Sequence, residues 1–192
     1  MKKTGMILFI LLLMLSLSTG CSNQENSITE SNNTTDNNLE QISNKASQSD
    51  ADMFTDRDYR TAYDENESIL IHLNGDSATA SSNSVKISGS TVQITEEATY
   101  IISGTLNNGI ILVDAEDTAK LQIVLNGVSI TNESSAALYI LSADKVFVTL
   151  AEGTENTLAN GGSFIAIDEN NIDAVVFSKQ DLTFNGTGNL II

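Results

Sequence analysis

Proline and tryptophan are absent from this 192-residue chain, and cysteine and histidine occur once each. Average proline usage of about 5% would place about ten in a chain of this length. Proline lacks the backbone donor that a central strand needs, so its absence suits a chain paired on both sides along most of its length. A single cysteine, Cys21, excludes any disulfide framework. The one histidine, His72, lies in the stretch Leu70 to Leu73 and reads as an exposed strand position. A Ser-His-Asp arrangement would rest on it alone, with no motif around it. Cations are scarce as well: nine Lys and Arg against 25 Asp and Glu, for a net charge of −16. Such a surface repels nucleic acid and anionic headgroups, which excludes nucleic-acid partners. It also repels an acidic polysaccharide, unless a cation sits between the two.

The N-terminus carries a targeting signal. Lys2 and Lys3 precede the apolar run Ile7 to Leu15, which is too short to span a bilayer of about 30 Å as a helix. Leu17-Ser-Thr-Gly20-Cys21 then looks like a bacterial lipobox, in which Cys21 is lipidated and anchors the mature chain to the extracellular side of the membrane. Residues 1–20 are therefore expected to be a lipoprotein signal peptide. Residues 21–67 are rich in Asn, Ser, Thr, Gln, Asp and Glu, and read as a disordered polar tether. Met53, Phe54, Tyr59 and Tyr63 interrupt it and suit either an N-terminal cap on the first coil or mildly apolar linker.

From residue 68 onward the chain repeats itself. Gly109 to Ile130, Ala137 to Leu158 and Ala174 to Ile192 each open on a small residue and a short apolar strand. Each then has a polar turn with an Asp (Asp117, Asp144, Asp181) and a second strand. The openings are offset by 137−109 = 28 and 174−137 = 37 residues. Units of this size cannot bury their own apolar face and must stack. Alternation in Leu121 to Leu125 and Val146 to Leu150 gives each strand one inward face, with Phe147 and Phe184 read as interior stacking. Asn-Gly at Asn74, Asn126, Asn160 and Asn185 marks corners. No helical periodicity occurs after residue 20. The predicted fold is an all-β, right-handed parallel β-helix over residues 68–192. It stops inside a strand at Leu190 to Ile192 with no polar cap, which reads as a truncated solenoid.

The longer spacing between the last two repeats leaves Ala159 to Asp173 as an insertion, and insertions in solenoids often form a binding face. Asp168, Asn171 and Asp173 in it, with Asp114 and Glu116 one coil earlier, are the calcium candidates. Calcium takes six to eight oxygen ligands from such groups, although the spacing matches no EF-hand loop. Asp117, Asp144 and Asp181 read as turn residues. Tyr139 alternates with Leu138 and Ile140 and reads as a partly buried strand tyrosine or, with its ring outward, as a candidate sugar contact. Lysines remain at 86, 120, 145 and 179 in the repeat region, each beside a strand or turn, where a charge deters edge pairing. No carboxylate pair sits in a recognisable glycosidase setting.

The stretch Ile102 to Gly161, with its phrases LNGVSIT and ADKVFVTLAEGTENTL, and the later DAVVFSKQDLTFNGTG resemble a family of secreted bacterial carbohydrate-binding domains. The resemblance covers roughly Ile69 to Ile192. It implies a calcium-binding parallel β-helix, similar in fold to pectate lyases, that binds acidic polysaccharide such as polygalacturonate without catalysis. It places ligand residues at Asp168, Asn171 and Asp173. Two other functions compete: a polysaccharide lyase, and a cell-surface stalk or adhesin with a protein partner.

Overall fold

Short alternating runs become strands throughout residues 53–192, the part of the chain that the computed structural model describes. The expected signal peptide, Cys21 and the tether as far as residue 52 lie outside the described residues. β1 (Ile69–Gly75), β2 (Ala78–Ala80), β3 (Val85–Ser88) and β4 (Thr91–Ile94) open the fold. They are followed by β5 (Thr99–Leu106), β6 (Ile110–Asp114), the long β7 (Lys120–Asn132), β8 (Leu138–Ser142) and β9 (Lys145–Leu150). β10 (Glu155–Asn160), β11 (Val176–Ser178), β12 (Asp181–Gly186) and β13 (Asn189–Ile191) complete it.

These strands form two sheets. One runs β12-β9-β7-β5-β1-β2, with β10 joined to β7 and β13; the other runs β11-β8-β6-β4-β3. Each passage of the chain leaves a strand in one sheet and then in the other, and successive passages pair in parallel. The repeat seen in the sequence appears as register: Ile111 pairs with Leu138, and Leu138 with Val176. The sheets are nevertheless mixed, because β1–β2 and β3–β4 pair antiparallel. Asp76-Ser77 and Gly89-Ser90 join those pairs, and so short a connection can only return the chain antiparallel.

Inward rows from the two sheets build the core. Tyr100, Ile123 and Val148 lie in register on one side, and Val92, Ile111 and Leu138 on the other. All six are buried. Burial of each such side chain contributes about 1.5–3 kcal/mol of transfer free energy. Buried asparagines tie the passages together: Asn156 accepts from the N–H groups of Gly127 and Val128, and donates to the Asn189 carbonyl. The Asn side chains thus bond to backbone in neighbouring passages rather than to one another.

Two expectations are corrected on the outer face of the larger sheet. Phe147 does not stack inside. Val146 and Val148 take the inward positions, and Phe147 faces out beneath the Arg57 guanidinium, 4.7 Å from the ring centroid. The segment assigned to the tether also folds here. Asp58 is 3% exposed, with Lys145 Nζ at 2.6 Å and the Thr183 hydroxyl bonded to it. Asn185 Nδ2 donates to the Asp58 carbonyl at 3.0 Å, and Tyr63 packs on Ile101, Val124 and Ala151. Order thus begins ahead of residue 68. The strap crosses the flank of β5, β7, β9 and β12 instead of capping the first passage. Phe184, in register with Val148, is 40% exposed on the edge strand β12.

Candidate functional site

Two polar places on the second sheet gather the residues singled out in the sequence. The first is the insertion between β10 and β11. Gln93, Leu112, Tyr139 and Phe177 form an outward row along β4, β6, β8 and β11, and the insertion folds down over it. Ile172 is 2% exposed there, packed with Ala136, Ile110 and Tyr139. Tyr139 does face outward, as alternation required, but the loop covers it completely, at 0% exposure. A sugar ring therefore has no face of Tyr139 to stack on. The phenol instead donates to Asp168 Oδ2 at 2.7 Å and accepts from Asn170 Nδ2 at 2.8 Å. Its ring meets Phe177 edge-on, with centroids 5.4 Å apart.

This arrangement uses up the Asp168 carboxylate. Oδ1 accepts from the Asn170 N–H and side-chain amide while Oδ2 holds the tyrosine. The Asn170 N–H first, and then the Tyr139 hydroxyl, hold the Asp168 carboxyl below its usual pKa. Asn171 and Asp173 flank the buried Ile172 and are exposed. Asn160 anchors the start of the loop by donating to the carbonyls of Asn132, Ser135 and Ser163.

Burial, and then the Asp168 bond and charge, push the Tyr139 hydroxyl up to about 12. A phenol whose pKa is raised on folding adds stability that is present below its unfolded value of about 10. That contribution is lost as pH rises from about 10 toward 12. Tyr139→Phe should cost about 1 kcal/mol and loosen the loop. The readouts are the melting temperature and proteolysis within residues 161–172. The variant should also lose one tyrosine that titrates at high pH from the alkaline absorbance curve.

The second place is a cleft of about 430 Å³ lined by Lys86, Gln93, Thr95, Asp114, Glu116, Asp117 and Ser142. The β6–β8 ladder slips between Val113 and Asp114, so that Asp114 pairs with Ser142. A bulge of this kind re-aims a side chain, and Asp114 meets Gln93, whose Nε2 donates to Oδ2 at 2.8 Å. The Ser142 hydroxyl lies 2.6 Å from the Ala115 carbonyl and 2.8 Å from Asp117 Oδ1. Asp117 thus reaches the next passage instead of closing its own turn. Asp144 likewise reaches back to Lys120 at 3.1 Å. A neighbouring cleft of about 420 Å³ shares Thr95 and Glu116 and adds Glu96 and Glu97.

The two acidic sets differ as calcium ligands. Calcium needs six to eight oxygens, and no group of three or more His, Cys, Asp or Glu side chains converges among the described residues. Around Asp168 the oxygens are committed to Tyr139 and Asn170. In the cleft, Asp114, Glu116 and Asp117 line one space without converging on a common point. His72 sits on the outside of β1, 3.3 Å from the Ser103 hydroxyl, and Arg57 donates to the Lys120 carbonyl while covering Phe147. Sequence reasoning named Asp114 and Glu116 but missed Gln93, Thr95 and Ser142. Their position outward on the second sheet becomes visible only with the ladder register.

Comparison with known proteins bears on these geometries. A family model described as carbohydrate-binding domain-containing protein matches residues 88–192. A carbohydrate-binding domain-containing protein of Acetivibrio thermocellus is 40% identical over 110 residues, which is 56% of this chain and 38% of that protein. Among solved structures, a polysaccharide lyase-like protein from C. thermocellum, in a gadolinium derivative, superposes with a TM-score of 0.61 at 37% identity. The match covers 64% of this chain and 51% of that one. The chain thus spans well under half the length of the curated relative. The family match takes in most of the cleft and all of the insertion, and on it this chain belongs to the carbohydrate-binding domain-containing protein family.

Proposed function

We propose that this chain is a lipid-anchored extracellular protein that binds an acidic polysaccharide such as polygalacturonate through calcium, without cleaving it. Membership of the carbohydrate-binding family carries the reading, and the polar cleft at Lys86, Gln93 and Asp114 is the site assigned to it. The parallel ladders from β5 to β12 support a parallel β-helix framework. Calcium is favoured by charge. A chain of net charge −16 and an anionic polymer repel each other, and a divalent ion held between cleft carboxylates and sugar carboxylates removes that repulsion. The polymer would complete the calcium shell. Cys21 would supply the lipid anchor to the membrane.

Affinity electrophoresis in polygalacturonate, with millimolar calcium or with chelator, tests the reading. Retention should appear with calcium, disappear with chelator, and leave the polymer intact. No retention in either condition removes the proposal. The lyase-like neighbour keeps a second reading in view, in which ultraviolet absorbance from unsaturated sugar ends would grow with time. Intact polymer, no retention and capture of a protein partner would instead mark a stalk or adhesin.

A further inference from the structure

Four lysines lie among the described β-strands and turns, and two of them are paired. Lys120 bonds Asp144 and Lys145 bonds Asp58. Lys86 is the only cation lining the 430 Å³ cleft, alongside three carboxylates. Even so, it forms no ion pair within 4 Å among the described residues. The β3–β4 hairpin sets it directly opposite Gln93. Gln93 is turned to Asp114, whose Oδ1 has no protein donor among the described residues. The cleft thus presents an ammonium at one side, a half-buried carboxylate with one free oxygen at the middle, and hydroxyls from Thr95 and Ser142 around them.

We propose that Lys86 is the residue that selects acidic sugars: its ammonium takes the carboxylate of a uronic-acid unit whose ring hydroxyls donate to Asp114. The inference rests on the carbohydrate-binding reading and deepens it. A cleft of this volume suits one or two sugar rings, within the range of small-ligand sites. A sugar hydroxyl both donates and accepts, which matches a carboxylate oxygen beside amide and hydroxyl groups. A neutral sugar would be served by those groups alone. Lys86, on the edge strand and without an ion pair among the described residues, adds a group suited to an anionic ligand. Charge sets the direction of approach. The three carboxylates outnumber Lys86, so the uronate approaches from the lysine side.

The test is Lys86→Gln in the full chain, titrated with polygalacturonate and with its fully methyl-esterified, uncharged form, both with calcium. A charge-assisted hydrogen bond of this kind corresponds to about a tenfold loss in affinity. We expect that loss for the acidic polymer alone, with weaker salt dependence of what binding remains. Lys86→Arg should retain most of it. Equal losses on both polymers would overturn the proposal, as would wild-type affinity of Lys86→Gln for polygalacturonate. Either result leaves the calcium-dependent carbohydrate reading standing. Failure of the wild type to bind either polymer, with or without calcium, overturns both together. Lys86 lies on the exposed side of its hairpin, so circular dichroism and the melting temperature should be unchanged and the loss attributable to binding.

Discussion

Asp58→Ala should destabilise the domain by about 3 kcal/mol, because it removes one partner of a buried ion pair. For a domain of this size that lowers the melting temperature by roughly 10 °C. Burial by itself would raise the Asp58 pKa. The Lys145 ammonium, the Thr183 hydroxyl and the Thr55 N–H and hydroxyl outweigh it, and hold the carboxyl far below the usual carboxylate range. Lys145 remains near the Phe147 ring, 5.4 Å from its centroid, which softens the loss of its partner. Asp58→Asn separates charge from shape. The sign of the pH dependence is fixed: a depressed pKa contributes stability that is present above about pH 4 and is lost as pH falls below it. The wild type should therefore lose stability steeply below pH 4, and Asp58→Asn should show a flatter acid limb. Equal acid limbs for the two proteins would mean that the strap contributes nothing through this charge.

Gly104→Ala is expected to be worse still, and should prevent folding. Gly104 sits in β5 with φ at 95°, and a Cβ there would lie 2.2 Å from the Leu73 carbonyl oxygen. The neighbour is backbone of the paired strand β1, which cannot turn aside as a side chain can. The substitution would have to push β1 off the ladder. Gly127, at φ 73°, is a control of the same conformational class, since a Cβ there meets nothing within 4 Å. Gly127→Ala should cost only the left-handed backbone strain, about 1–2 kcal/mol. Soluble yield and circular dichroism separate the outcomes. A folded Gly104→Ala protein as stable as Gly127→Ala would disprove the close β1–β5 approach.

Much of the strand pattern could be read in advance where apolar residues alternate, as in Leu121 to Leu125 and Val146 to Leu150. β10 could not, because it contains Asn156, Thr157 and Asn160, and its burial depends on an asparagine bonding three backbone groups. Alternation also leaves the choice of face open. Val-Phe-Val at 146–148 fits either phase, and Arg57, from far along the chain, decides that Phe147 stays outside. The strap looked like linker because its strongest attachment is one aspartate among many, distinguished only by the groups that fold over it. Tyr139 was correctly turned outward, yet what covers it comes from an insertion whose acids looked like free metal ligands. The cleft was half legible. Asp114 and Glu116 stand out by charge, while Gln93 and Ser142 join them through ladder register that only the folded chain displays.

The strap also sets the order in which the molecule can be completed. Asp58 bonds Thr183 across 125 positions, and its carbonyl is held by Asn185 across 127. Contacts of such separation form late, since the intervening loop must first be closed by everything between. A ribosome releases Asp58 well before Thr183, so the earliest-made piece of the described fold waits for nearly the last. Until the strap docks, Lys145, Phe147 and Val124 on the outer sheet face stay uncovered. The nascent domain thus carries a temporary sticky flank that its own first residues seal at the end.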